Sequence, residues 1–326
     1  MHKDTPHLYG TSPALPPILV APEGGSYHAD VADPEEVHPR PRIVLPAVLL
    51  VATCASTFWA GATNWLPFMY MDSFDRAGEI LWHRWQQGLA YMVAVLAVLG
   101  SHEMGHFLVA MRYRIPVSLP YFLPVPFHPL GTLGAVIGMQ GGMRANRRQL
   151  FDLGLAGPLA GLVVALPILW IGFQQYDPQA TSRDSLQLPS PLLFQIVLRL
   201  AHPEYPPGSF AHLSAVNPFL AAGWAAMLVT GLNMLPVSQL DGGHVAHALL
   251  GRRSVWLARG MLVGSILFIL VTDQYNWALM VILVTLIGVD HPPTADDQVR
   301  LGWPRRLVGW ASLAIPILCL PSMHLA

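Results

Sequence analysis

Charged side chains are scarce in this chain of 326 residues, because Asp, Glu, Lys and Arg make up 11 % of it, against about 25 % in soluble domains. Basic residues are not in excess either, since 18 Lys and Arg stand beside 19 Asp and Glu. That balance excludes the basic footprint of a nucleic-acid-binding domain. Cysteine is nearly absent, and Cys54 and Cys319 lie far apart, which excludes a disulfide scaffold and a thiolate zinc site.

Long apolar runs are what the chain has instead. A helix needs about 20 mostly apolar residues to cross a bilayer, and seven windows reach or approach that length: 43–66, 88–111, 150–173, 214–236, 254–272, 276–289 and 306–321. We therefore predict an all-α polytopic membrane protein with about seven transmembrane helices. Residues 43–326 form the membrane domain and residues 88–250 its core. Residues 1–42 are polar and aperiodic, which predicts a disordered cytoplasmic tail.

The arginines indicate how the spans are oriented. Loops on the cytoplasmic side of a membrane protein carry an excess of Lys and Arg. With the N-terminus in the cytoplasm, the loops on that side hold 14 of the 18 basic residues. The distribution therefore predicts a cytoplasmic N-terminus, and for seven spans an external C-terminus.

The most specific motif is HExxH, which begins at His102 within the predicted span 88–111. Residues four apart share a helix face, so His102 and His106 can present imidazole nitrogens to one metal ion, with Glu103 beside them to act on a bound water. Ionisable groups inside a span are costly and usually mark function. The alternative is a set of polar residues that bond to one another in a helix bundle.

A catalytic zinc ion usually takes three protein ligands and one water, so a third ligand must come from elsewhere. The segment 233–243 ends an apolar helix at Pro236 and continues into Leu-Asp-Gly-Gly. Asp241 is the predicted third ligand, at the same cytoplasmic depth as the two histidines. An Asp in this position also suits a helix N-cap. His244 and His247 are rival ligands, but their spacing turns them away from a site that Asp241 faces.

Together, HExxH in an apolar helix and NxxPxxxLDGGH downstream resemble the site-2 protease family of intramembrane zinc metalloproteases. Residues 131–139, 146–152 and 157–161 are similar to bacterial and plastid members that lack an inserted PDZ domain, as is the His-Pro-Pro motif at residues 291–293. The resemblance implies that Asn233 orients substrate or stabilises an oxyanion. A hydrogen bond between helices is the other interpretation of this asparagine.

Five prolines between residues 116 and 129 exclude a spanning helix there. Irregular backbone at membrane depth must be buried in protein or line a cavity, so we predict a re-entrant loop. The run that follows it favours a strand or a β-hairpin. In the family such a strand is thought to pair with unwound substrate, which makes Gly131 and Gly134 candidate substrate-binding residues, with simple loop packing as the alternative. Gly157 and Gly161 have the spacing that lets membrane helices approach closely.

The resemblance implies regulated intramembrane proteolysis, in which Zn²⁺ and Glu103 act on a water that hydrolyses the transmembrane segment of a single-span membrane protein. Substrate and membrane lipid are the expected partners, nucleic acid is not, and the expected location is a bacterial inner membrane with the site near the cytoplasm. A metal-ion transporter is the alternative, but it would carry polar groups along several spans. A non-catalytic membrane scaffold is disfavoured by the intact HExxH.

Overall fold

A computed structural model describes residues 43–70, 74–138, 145–176, 189–204, 215–237, 239–273, 275–288 and 294–321. The predicted tail, Met139 and the His-Pro-Pro motif lie outside this part of the chain. The helices are α1 (Val44–Ala62), α2 (Phe74–Arg112), α3 (Arg147–Gln174), α4 (Leu192–Ala201), α5 (Pro218–Asn233), α6 (Asp241–Leu250), α7 (Ser254–Thr272), α8 (Ala278–Ile287), α9 (Trp303–Ser312) and α10 (Ile315–Cys319). The strands are β1 (Tyr121–Pro124) and β2 (Thr132–Val136).

Among the described residues, four stretches are long and apolar enough to cross a bilayer: α1, α2 from Asp75 onward, α3, and α6 with α7, which run on through a 3-10 turn at Gly251–Arg253. Four of the predicted spans are thus confirmed as helices of sufficient length. Helix α5 has 16 residues and α8 has 10, so they rise about 24 and 15 Å, less than the roughly 30 Å of a hydrocarbon core.

The predicted last span, residues 306–321, is not one helix. Helix α9 ends at Ser312, and α10 begins at Ile315 with Pro316 in its first turn. Proline lacks the N–H that a helix interior needs, but it is tolerated at a helix start. The apolar composition of this window therefore does not indicate the length of its helices, and Leu307, Trp310 and Ile317 are exposed.

A β-hairpin follows the HExxH helix, as predicted. Its two strands pair antiparallel, with Tyr121 opposite Val136. Two hydrogen bonds attach the turn to the helices. The Ser56 hydroxyl of α1 donates to the carbonyl oxygen of Gly131 at 2.6 Å, and the Tyr91 hydroxyl of α2 donates to the carbonyl oxygen of Leu130 at 3.0 Å. The hairpin is therefore anchored on the same helix that carries HExxH.

Helix α3 packs against α2, α5 and α6. It approaches α2 and α6 closely because three glycines of α3 lack a side chain where the neighbours come nearest. A β-carbon at Gly154 would lie 2.8 Å from the β-carbon of His244, and β-carbons at Gly157 and Gly161 would meet the two histidines of HExxH. The predicted small-residue pair thus faces the HExxH motif itself, so α3 forms one wall of the candidate site.

Candidate metal centre

The two histidines of HExxH point the same way from α2. Because they are one helical turn apart, their rings lie 4.9 Å from centre to centre, and their Nε2 atoms are 3.1 Å apart. His102 and Glu103 are buried, with 3 % and 5 % of their surface exposed. Glu103 interacts electrostatically with both histidines and with Asp241. A carboxylate thus lies buried beside paired imidazoles within a membrane-length helix.

Asp241 completes the group from the start of α6. Its Oδ2 lies 3.2 Å from Nε2 of His102 and 3.3 Å from Nε2 of His106. The residue at the N-cap of α6 is Leu240, so Asp241 is not the cap, and its carboxylate faces the histidines. Gly242 allows this approach, since a β-carbon there would lie 2.0 Å from the carbonyl oxygen of Met234.

Helix α3 orients one of the imidazoles. Nδ1 of His106 lies 2.9 Å from the carbonyl oxygen of Leu153. A carbonyl only accepts, so this ring nitrogen carries the hydrogen, and the lone pair of Nε2 faces the group. Such a bond from the far side of the ring is how ligating histidines are usually held. Gly157 clears the space, because a β-carbon there would lie 2.1 Å from Nε2 of His106.

The donor atoms of these three residues suit a zinc ion. They all lie within 4.8 Å of one another, and the separations of Nε2, Nε2 and Oδ2 are 3.1, 3.2 and 3.3 Å. Ligand atoms about 2.0–2.1 Å from a tetrahedral zinc ion lie about 3.3 Å from each other. Two imidazoles and one carboxylate also match a catalytic donor set that leaves one position for water.

Asn233, at the end of α5, adjoins this group. Its Nδ2 lies 3.4 Å from Nε2 of His102, so its amide borders the space that the donor atoms enclose. Of the hairpin glycines, Gly134 has a φ of +107°, and a β-carbon there would approach Val229 of α5 at 3.8 Å. Helices α2, α5 and α6 thus bring Asn233 and the three predicted ligands together, whereas Gly131 lies against α1 and Gly134 faces α5.

The rival histidines have other partners. His247 lies 3.3 Å from Oδ1 of Asp297 and 3.3 Å from Oγ of Ser254, while His244 packs against α3. His128 in the hairpin turn accepts a hydrogen bond from the amide of Leu130, and burial lowers the pKa of its imidazole. Among the described residues, the donor group that could hold a metal therefore leaves these three histidines out.

Sequence reasoning missed a network beside the group. Asp152 of α3 accepts hydrogen bonds from Arg305 of α9 and from the hydroxyl of Tyr113 just after α2. The bond to Asp152 raises the pKa of the Tyr113 phenol and also that of the Arg305 guanidinium. No local pattern in the sequence points to this pairing, because Arg305 lies 153 positions from Asp152.

Comparison with known proteins identifies the family of this chain. The profile of peptidase family M50 matches residues 90–271. The chain is 31 % identical to the probable chloroplastic zinc metalloprotease EGY1 of Arabidopsis thaliana, over 74 % of this chain and 44 % of that protein. It is 29 % identical to EGY1 of Oryza sativa subsp. japonica (72 % and 41 % covered) and 28 % identical to the probable chloroplastic zinc metalloprotease EGY2 of Arabidopsis thaliana (77 % and 44 %).

The chain thus spans less than half the length of these curated relatives. No solved structure matches it significantly. The matched residues 90–271 include HExxH in α2, the wall formed by α3, and Asp241 at the start of α6. The profile therefore covers all three predicted ligands together with Glu103. On the extent of this match, the chain belongs to peptidase family M50, the site-2 protease family.

Proposed function

We propose that this protein is an intramembrane zinc metalloprotease that hydrolyses the transmembrane segment of single-span membrane proteins. The observation that carries the proposal is the group formed by His102, His106 and Asp241, whose donor atoms have tetrahedral spacing. Glu103 lies buried beside them. A metal transporter would need polar groups along several spans, whereas the metal-donor group among the described residues is a single one.

The chemistry divides among named residues. His102, His106 and Asp241 would hold Zn²⁺, which when bound supplies a polarised water and a Lewis acid for the scissile carbonyl. Glu103 takes a proton from the water as the oxygen of that water bonds to the scissile carbonyl carbon. It then returns the proton to the amine nitrogen as the C–N bond breaks. Burial of Glu103 among apolar helices keeps bulk water from competing for that proton.

The polypeptide around the site receives substrate. A transmembrane helix hides its peptide bonds in its own hydrogen bonds, so it must unwind before hydrolysis. The hairpin offers an edge to which an unwound segment can add as a strand, and Gly131 and Gly134 give that edge its backbone shape. We expect the Asn233 amide, which lies 3.4 Å from Nε2 of His102, to donate a hydrogen bond to the carbonyl oxygen under attack.

The arginine distribution supports a cytoplasmic N-terminus, with residues 1–42 as a cytoplasmic tail and residues 43–326 as the protease domain in contact with lipid. The site then lies near the cytoplasmic side. We assign the protein to a bacterial inner membrane. The named relatives are chloroplastic, so fractionation of the native host is the measurement that decides between an inner cell membrane and a plastid membrane.

The direct test is Glu103→Gln, which keeps the shape of the side chain and removes the base. Cleavage of a model single-span substrate in detergent or proteoliposomes should fall by about 10²-fold or more, with zinc content unchanged. Glu79→Gln is the matched control, because Glu79 is an exposed acid on the same helix. Unchanged cleavage by Glu103→Gln would remove Glu103 from the mechanism.

The metal assignment has its own test. Asp241→Ala should lower the zinc content of the purified protein together with its activity, while Asp75→Ala, an exposed acid at the start of α2, should change neither. Full zinc occupancy in Asp241→Ala would move the third ligand to another residue. Zinc flux through proteoliposomes without any proteolysis would favour a transporter instead.

A further inference from the structure

Asp152 joins three parts of the chain through one carboxylate. Arg305 of α9 binds it with two parallel hydrogen bonds, Nε to Oδ1 at 2.8 Å and Nη2 to Oδ2 at 2.9 Å. The hydroxyl of Tyr113 donates to Oδ2 at 2.5 Å. Side-chain exposure is 21 % for Asp152 and 37 % for Arg305. A bidentate, partly desolvated pair of this kind has a fixed geometry as well as an attraction.

The next residue of α3 bears directly on the metal group. The Leu153 carbonyl accepts the hydrogen bond from Nδ1 of His106. Tyr113 follows His106 by seven residues, about two helical turns, so both lie on the same side of the HExxH helix. Asp152 and Leu153 therefore hold α2 at two points, one through a side chain and one through the backbone. Movement of this turn of α3 displaces the carbonyl that aims Nε2 of His106.

Helix α9 fixes that turn from the outside. Gly309 lies against α3 and α6 together, since a β-carbon there would come within 2.7 Å of Phe151 and 3.0 Å of Leu249. The same short helix thus contacts the residue before Asp152 and the helix that begins with Asp241. Arg305 and the rest of α9 lie beyond residues 90–271, which the family profile matches.

We infer that Asp152 and Arg305 are positioning residues for the metal centre: their ion pair sets the turn of α3 whose Leu153 carbonyl orients His106. Tyr113 contributes by tying the same carboxylate to the end of the HExxH helix. The inference rests on the proposed function in that the group binds zinc. It adds that a segment outside the matched family region tunes the affinity of that group.

The test measures zinc affinity on the full chain, purified in detergent and stripped with a chelator. Zn²⁺ is titrated in competition with a chromophoric chelator, and Co²⁺ serves as a second probe because its visible spectrum reports ligand geometry. Loss of a residue that supports a ligand usually weakens metal binding by 10–100-fold. We expect about tenfold weaker Zn²⁺ binding for Asp152→Asn and Arg305→Gln, and an altered Co²⁺ spectrum.

Matched variants separate positioning from folding. Arg306→Gln is the control, because Arg306 is the neighbouring, exposed arginine of the same helix, and it should bind Zn²⁺ as the wild type does. Arg305→Lys should recover part of the affinity, since it restores the charge without the fork. Tyr113→Phe is a mild variant that removes a single hydroxyl, and it should weaken binding less than Asp152→Asn does.

The outcomes are distinguishable. If Asp152→Asn, Arg305→Gln and Tyr113→Phe all bind Zn²⁺ with wild-type affinity and spectrum, the inference is wrong and the proposed function stands. A lower melting temperature of the metal-free variants with unchanged Zn²⁺ affinity would make the pair a structural link and would also overturn it. A wild-type chain that binds no Zn²⁺ overturns the proposed function, and the inference with it.

Discussion

Gly157 of α3 lies directly against the imidazole of His106, so that a β-carbon added at residue 157 would come within 2.1 Å of Nε2. That nitrogen is the atom that faces Asp241 at 3.3 Å. The space for a metal ligand therefore depends on the absence of a side chain on a neighbouring helix. Gly157 therefore serves two purposes in this wall of the site, because it allows close helix packing and leaves room for the imidazole of His106.

Gly157→Ala should lower zinc affinity, because either the imidazole or the whole of α3 must move to admit the methyl group. We expect a loss of at least about tenfold, by analogy with other changes that displace a ligand, measured by competition with a chelator. Gly100→Ala on α2 is the control, since a β-carbon there meets nothing within 4 Å. Wild-type affinity in Gly157→Ala would mean that the helices separate without cost.

Asn233→Ala should reduce catalysis and leave zinc bound. The amide lies 3.4 Å from Nε2 of His102, and loss of one oxyanion donor costs about 10²–10³ in kcat. Cleavage rate and zinc content are measured on the same preparation. Asn64→Ala is the control, because Asn64 bonds Gln87 and neither residue belongs to the metal-donor group. A parallel loss of zinc in Asn233→Ala would indicate that Asn233 supports the ligands instead.

Ser56→Ala should loosen the hairpin. The hydroxyl donates to the Gly131 carbonyl at 2.6 Å between buried groups, and an acceptor left without its partner costs about 1–3 kcal/mol. Thermal unfolding and protease susceptibility of the hairpin report the change. Ser118→Ala, which removes an exposed hydrogen bond of the same segment, should have a much smaller effect. Equal effects of the two substitutions would argue against Ser56 as an anchor.

The hairpin turn should also lose stability in mild acid. Burial lowers the pKa of His128 in the folded protein, below the value of about 6.5 that it has when unfolded. Stability is therefore complete above pH 6.5 and declines as the pH falls toward the folded pKa, because the unfolded chain then binds a proton that the folded one resists. Hydrogen exchange of residues 125–131 between pH 7.5 and 5.5 measures this, and His128→Gln should abolish the dependence.

Local pattern was enough for several elements. Window 254–272 coincides with α7, and window 88–111 lies inside α2. Helix α2 begins earlier than that window, at Phe74, in a stretch whose charged residues lower its hydropathy. Its helical geometry breaks at Arg84 (φ −123°, ψ 17°). Apolar content failed to predict helix length for residues 306–321, because a second helix begins at Ile315 with Pro316 in its first turn. The boundary between Ser312 and Ile315 sets the helix length there, and composition does not reveal it.

By itself the sequence determined that several helices are long and apolar enough to cross a bilayer and that His102, Glu103 and His106 share one helix face, since both follow from chain-local geometry. It also placed Asp241 in a segment able to approach them. Only the tertiary structure decided that its carboxylate lies 3.2 Å from His102, that the Leu153 backbone aims His106, and that Arg305 binds Asp152. Those contacts join residues 47 to 153 positions apart, and packing between helices, which no local pattern encodes, sets them.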